Sequence, residues 1–280
     1  MVKKIIIISI VLFSLYNLSL YLFLQNKGAV YTDVDKVERF IYSGKRYKVV
    51  TAGSSLIGGF SREAAKRPDL YNLFLPPSGG CTGVKTIVLS GKIPDTLYLE
   101  TNYLSRGFNR PLLDDLFDPF WYNVKFYLPA LEKSNKFLPL MIGKLKPAKL
   151  EMPNKKRPKQ ELFDQLLAKV SKEYDSIPNP KAYNNILLEL KKDLEYITSK
   201  GCTVVFFEVP SERELVYSEK LKYQRKTLKG FFNESKYKWI APDTVSTYYT
   251  GDGKHLLRES FDRFNIYFKY QASLLKFKKS

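Results

Sequence analysis

Apolar positions along the chain fall into three patterns, and each predicts a different element. Ile5–Leu24 is an unbroken run of twenty residues without a charge. As a helix rising about 1.5 Å per residue, such a run spans the hydrocarbon core of a bilayer. Farther on come short apolar runs without clean alternation: Arg46–Ala52, Leu70–Leu75, Thr96–Leu99, Thr203–Val209 and Tyr237–Ala241. Strands buried on both faces of a parallel sheet read this way. Two stretches repeat instead every three to four residues. In Ala182–Lys200 the stripe is Leu187, Leu190, Leu194 and Ile197, with Gly201 placed as a C-terminal cap. In Leu256–Lys276 it is Leu257, Phe261, Phe264 and Phe268. Ser61–Lys66 suits a short helix. The alternation of strands and helices predicts an α/β/α layered domain with a parallel five-stranded sheet, preceded by one N-terminal transmembrane helix.

Two segments lie outside this alternation. Gln25–Lys45 reads as a juxtamembrane stalk or a first amphipathic segment. Between the third and fourth strands lies an insertion, roughly 107–180. Its first part is aromatic, with Leu116–Tyr122 and Phe126–Leu128. Its second part, Lys144–Gln160, holds seven Lys or Arg and one Glu. One reading is an extra helical layer with a solvated loop. The other is a membrane-facing or acceptor-binding lid.

The 280 residues carry 46 Lys+Arg against 28 Asp+Glu, a net charge of +18. Basic chains meet nucleic acid, anionic lipid or acidic polymer. The N-terminal run decides among them. Lys3 and Lys4 precede it and favour keeping residues 1–4 in the cytoplasm, with everything beyond residue 24 in the periplasm or outside the cell. Gln25–Ala29 is a poor cleavage site and no cysteine follows, so an uncleaved signal anchor over 5–24 is expected. Export argues against a nucleic-acid partner and for membrane lipid or an anionic envelope polymer. Cys81 and Cys202 fall at opposite ends of their strands, too far apart to bridge. One His and two Cys make no zinc cage, and no cofactor is expected.

Candidate chemistry begins at His255, the one histidine, three residues after Asp252. Imidazole is the side chain that ordinarily titrates near neutrality, so histidine-based proton transfer has one place to occur. Gly53-Ser54-Ser55-Leu56 follows the first strand, Ser78-Gly79-Gly80 the second and Glu100-Thr101-Asn102 the third. Asp252-Gly253-Lys254-His255 stands at the start of the last helix. In an open parallel sheet, ligands bind outside the carboxyl ends of the strands, where the first three pieces fall. No glycine-rich phosphate loop with its lysine is present, which argues against a nucleotide- or sulfate-donor transferase.

This ordered set resembles the SGNH (GDSL-type) hydrolase superfamily, in particular its membrane-anchored members from bacterial envelope-polymer loci. The likeness covers about Lys48–Leu275 outside the insertion. It implies a flavodoxin-like three-layer fold over 46–280. Ser55 matches the nucleophile, Gly79 the oxyanion-hole glycine with Gly80 as an adjacent alternative, and Asn102 the oxyanion-hole asparagine. Asp252 and His255 match the Asp-x-x-His block. Ser54 stands where the family usually has aspartate and is a weaker nucleophile candidate. The third block reads Glu-Thr-Asn rather than Gly-x-Asn-Asp, and Pro76-Pro77 alter the spacing before Gly79. On these roles His255 takes the serine proton, Asp252 fixes the imidazole, and the N–H groups of Ser55 and Gly79 with the Asn102 amide receive the oxyanion. The expected activity is O-acyl transfer or ester hydrolysis on an envelope polysaccharide, with a membrane-embedded acyl donor protein as a further partner. The alternative is an inactive SGNH-fold subunit that binds glycan or serves as a scaffold.

Overall fold

The computed structural model describes residues 1–24, 32–136, 156–232 and 236–277. In chain order, helices α1 (Val2–Ser19) and α2 (Asp33–Tyr42) precede strand β1 (Val49–Gly53), helix α3 (Ser61–Lys66) and strand β2 (Leu70–Phe74). Then come α4 (Gly79–Ser90), β3 (Thr96–Glu100), α5 (Arg110–Leu116), α6 (Pro119–Tyr127), α7 (Gln160–Tyr174) and α8 (Pro180–Ser199). Strand β4 (Thr203–Phe207), α9 (Glu219–Phe231), β5 (Tyr237–Trp239) and α10 (Arg258–Phe277) complete the order. The chain forms two compact units: Met1–Lys45 with Asn109–Lys149, and Arg46–Phe108 with Leu150–Ser280. The sequence pattern places all of 107–180 in the 46–280 domain; the boundary between units instead runs through that insertion.

In the larger unit all five strands are parallel, in the order β2-β1-β3-β4-β5. Helices cover both faces, giving the α/β/α layering expected from the apolar runs. On one face the α10 stripe Phe261, Phe264 and Phe268 packs with Phe60, Val205 and Phe207. Burying each such ring is worth roughly 1.5–3 kcal/mol. On the other face α4 lies close to β1, and a Cβ at Gly83 would meet that of Ala52 at 3.1 Å. Helix α8 buries Leu187, Leu190, Leu194 and Ile197, the stripe read from sequence. It is also tied to α4 by Lys85, which pairs with Glu189 at 3.1 Å and Asp193 at 2.7 Å. Because β1 has β2 on one side and β3 on the other, the chain reverses direction across the sheet between β1 and β3. That is the switch point where open α/β sheets bind ligands.

Cys81, in α4, and Cys202, ahead of β4, are free and buried. Burial pushes the Cys202 thiol up to about 12, and it raises Cys81 further.

In the smaller unit, Val2–Leu22 is long and apolar enough to cross a membrane, with mean hydropathy 2.2. Part of the segment read as a stalk is the helix α2. Thr32 caps it reciprocally with Asp35: the Asp35 N–H reaches the Thr32 hydroxyl at 3.2 Å and the Thr32 N–H reaches the carboxylate at 2.8 Å. Glu38 of α2 is fully buried and accepts from Lys125 Nζ and the Lys133 N–H, each at 2.7 Å. Tyr42 meets Phe126 edge-on at 5.0 Å. These contacts hold the aromatic half of the insertion to α2. Most of the basic stretch Lys144–Gln160 lies outside the described residues.

Candidate active site

β1 ends at Gly53, and its position beside β3 sets the path of the serine turn. A Cβ at Gly53 would lie 2.6 Å from Glu100 Cβ, so only glycine lets the two strand ends approach this closely. The Ser54 N–H donates to Glu100 Oε2 at 2.7 Å. Ser54 is completely buried, and its hydroxyl accepts from the Leu56 N–H at 3.3 Å. It caps the 3-10 turn Ser55–Phe60 and offers no hydroxyl to a substrate. Ser55, half-buried, is the serine the turn presents.

Ser55 Oγ lies 2.8 Å from His255 Nε2, and His255 Nδ1 lies 2.6 Å from Asp252 Oδ2. A proton on Nδ1 donated to the carboxylate leaves the Nε2 lone pair facing the hydroxyl. Asp252 Oδ1 accepts the backbone N–H of His255 at 2.8 Å and of Lys254 at 3.1 Å. Burial alone would raise the Asp252 pKa. The bonds from His255 and Lys254 outweigh it and hold the carboxyl at about 2.

The Asp-x-x-His block does not open the last helix, as the sequence pattern has it; α10 begins at Arg258. The block is a turn closed by an antiparallel bridge between Thr250 and Leu256. Gly253 adopts φ 96° there, a conformation that favours glycine, which is why the chain cannot continue as helix through the motif. A bracing network invisible in the motif holds this turn. The Glu212 N–H donates to Gly253 O at 2.9 Å. Glu212 Oε2 accepts from the Thr250 N–H at 3.1 Å and hydroxyl at 2.6 Å. Its other oxygen pairs with Arg157 at 2.7 Å, and that guanidinium lies over the Phe163 ring at 3.9 Å. Arg157 belongs to the described end of the basic stretch, residues 156–160.

The N–H and amide groups that the sequence reading assigns to an oxyanion differ in whether they already have an acceptor. The Gly79 N–H donates to Leu75 O at 2.7 Å and is therefore engaged. Its glycine is needed for φ 72° at the start of α4. Gly80 is needed for a different reason: a Cβ there would meet Leu99 Cδ1 at 2.8 Å. The Gly80 N–H, in the first turn of α4, has no acceptor among the described residues. The Ser55 N–H, at the start of its own turn, has none among them either. Asn102 is buried and clamped on the Val209 backbone: Nδ2 donates to Val209 O and Oδ1 accepts the Val209 N–H, both at 2.9 Å. One Nδ2 proton remains to donate, in an orientation the clamp fixes. The donors that remain are thus Ser55 N–H, Gly80 N–H and Asn102 Nδ2.

Cations gather beside Asn102. The Arg106 guanidinium lies 3.9 Å from the centre of the Tyr103 ring, with Lys220 at 5.1 Å and Lys254 at 5.4 Å. Glu173 pairs with Lys220 at 3.0 Å and with Lys254 at 3.2 Å. Two of the three cations therefore share one carboxylate, and the Arg106 guanidinium donates to the Pro76 carbonyl instead, at 2.8 Å. Among the described residues no group of three or more His, Cys, Asp or Glu side chains is placed to hold a metal.

Asp252 carries a pH signature. Its folded pKa lies below the ordinary aspartate value, so it stabilises the fold above about pH 4, and that contribution is lost as pH falls toward 2. The shift, 3.8 to about 2, corresponds to at most about 2 kcal/mol. Thermal unfolding of the intact chain beside Asp252→Asn should show a gap that narrows between about pH 4 and 2. A gap constant across that range would mean that the carboxylate is not held by His255 in solution.

Comparison with protein-family models and with curated proteins finds no match to this chain.

Proposed function

We propose that the chain is an exported, membrane-anchored serine O-acyltransferase or O-acyl esterase of SGNH type, acting on a cell-envelope polysaccharide. The observation that carries this reading is the hydroxyl–imidazole–carboxylate relay, 2.8 Å and 2.6 Å, at the switch point of a parallel sheet. In the first half-reaction Ser55 Oγ bonds to the ester carbonyl carbon and its proton passes to His255 Nε2. The oxyanion is received by the N–H groups of Ser55 and Gly80 and by Asn102 Nδ2. Collapse breaks the bond to the leaving alkoxide, which takes the proton from His255. Water or an acceptor hydroxyl then attacks the acyl-enzyme and gives its proton to His255; collapse breaks the acyl–Oγ bond, and Ser55 Oγ takes that proton back from His255 as it leaves. Asp252 supports the imidazolium that forms in each half.

The cations around Tyr103 support an acceptor that bears negative charge, and the apolar helix α1 supports anchoring of the unit in the membrane. Anchoring would also favour delivery of the acyl group by a membrane-embedded donor protein.

A fluorophosphonate probe tests the reading on the full chain in detergent. Covalent labelling of the wild-type protein, mapped to Ser55 by peptide mass and absent from Ser55→Ala, is the expected outcome. An unlabelled wild-type chain, together with unchanged polymer acylation in a strain lacking it, would instead identify a glycan-binding or scaffold subunit.

A further inference from the structure

Helix α6 is nine residues long, Pro-Phe-Trp-Tyr-Asn-Val-Lys-Phe-Tyr, and buries none of them. Phe120 is 65% exposed, Trp121 50%, Phe126 45% and Tyr127 81%. Soluble surfaces rarely leave so much contiguous aromatic area open unless it meets a partner. The contacts within this unit indicate what the partner is. Asn17 of α1 donates to Tyr127 O at 3.2 Å and accepts from the Ala130 N–H at 3.0 Å. The Tyr16 hydroxyl donates to Asn135 O at 2.6 Å, and Leu20 packs with Ala130. The end of α6 and the segment after it are therefore fastened to α1 near the C-terminal end of its apolar run.

Depth follows from helix geometry. The membrane-spanning segment Val2–Leu22 extends five residues beyond Asn17, so this attachment lies about 8 Å short of its end. Interfacial helices bury their apolar face about 5–10 Å into the boundary of headgroups and acyl chains. Trp and Tyr concentrate at that level, where the ring is apolar and the N–H or O–H stays wet. The charge on α6 is arranged to suit: Lys125 turns to Glu38 of α2 at 2.7 Å, and Asp118 accepts the N–H groups of Phe120 and Trp121 at the helix start.

We propose that α6 is an interfacial helix whose Phe120, Trp121 and Tyr127 insert into the headgroup–acyl boundary of the membrane that α1 spans. The inference rests on α1 being a membrane anchor. The occupant is lipid, and a second copy of the chain is the competing one.

The chain contains two tryptophans, Trp121 and Trp239. Trp239→Phe leaves Trp121 as the single reporter in full-length protein reconstituted into phosphatidylcholine vesicles. Flotation measures anchoring separately. Expected is a protein that floats, with blue-shifted Trp121 emission that loses most of its intensity when the lipids are brominated near the top of the acyl chain. Should Trp239→Phe fail to fold, the wild-type chain serves, and its brominated-lipid quenching should disappear on Trp121→Phe. Floating protein with red, unquenched emission would overturn the proposal while leaving the anchor standing. Emission that is blue and shielded from aqueous quencher, yet insensitive to bromine, would assign the face to a second copy. Protein that does not float would overturn the anchor and this inference together.

Discussion

Ser55→Ala and His255→Ala are each expected to lower turnover of p-nitrophenyl acetate by roughly 10⁴–10⁶-fold, and the double variant by little more than either single one. The reasoning is geometric. The hydroxyl needs a base within hydrogen-bond reach, and the 2.8 Å contact with Nε2 supplies it. Either deletion removes the same proton transfer, so the effects do not add. Asp252→Asn should cost less than either, because the imidazole keeps its place while losing the carboxylate that selects its tautomer and stabilises the imidazolium. Folding is a poor alternative explanation for losses of this size. Ser55 and His255 are half-buried, the turn beneath Ser55 is held by Ser54 and Glu100, and the turn beneath His255 is held by Thr250 and Glu212. Thermal unfolding should therefore be nearly unchanged in Ser55→Ala. Full turnover in both single variants would dismiss the relay as a structural hydrogen bond.

The layout of the larger unit was legible because its signals are local. Five apolar runs marked the five strands, and leucine or phenylalanine stripes marked α8 and α10, since burial on one face writes a period into the sequence. The Ser, Gly and Asn pieces were legible because each follows the end of a strand, and the Asp-x-x-His piece because it holds the one histidine. What escaped depends on partners distant in sequence. Nothing near Ser78-Gly79-Gly80 says that the Gly79 N–H turns back to Leu75, leaving Gly80 as the open donor. Nothing in Asp-Gly-Lys-His announces Glu212 or Arg157, which lie 38 and 93 residues before Thr250. The sequence pattern starts α10 too early because Leu256 and Leu257 continue the apolar stripe, while the Thr250–Leu256 bridge that excludes them from the helix has no periodic signature. In the smaller unit, Thr32 and Asp35 do carry a capping signal, but the Glu38 contacts that join α2 to the insertion are non-local.

Glu100 shows how such a distant contact governs the site, and it carries the second large expected effect. Its carboxyl is buried, with one oxygen accepting the Ser54 N–H and the other without a hydrogen-bond partner. Burial raises its pKa, opposed by the bonds from Ser54. In the SGNH superfamily that the sequence resembles, the first block usually has aspartate where this chain has Ser54, and the third has glycine where this chain has Glu100. The acid thus stands on β3 rather than on the turn it supports. Glu100→Ala should leave the buried Ser54 N–H without an acceptor and open a cavity beneath the turn, a combined cost of roughly 3–5 kcal/mol. For a domain of this size that is a fall in Tm of roughly 6–20 °C, with esterase activity falling further than stability alone requires. Glu100→Gln keeps an acceptor for Ser54 in nearly the same volume, so it should retain most of the wild-type Tm and activity. Gly53→Ala should reproduce the loss from the opposite strand, because its Cβ would stand 2.6 Å from Glu100 Cβ and 2.7 Å from Oε2. Since Gly53 and Glu100 support one contact, Gly53→Ala combined with Glu100→Ala should cost less than the sum of the two. Additive losses in that double variant would show that strand approach and carboxyl support are separate requirements. Equal losses in the Gln and Ala variants would show that the ionised carboxylate itself, not an acceptor of its shape, holds the serine turn.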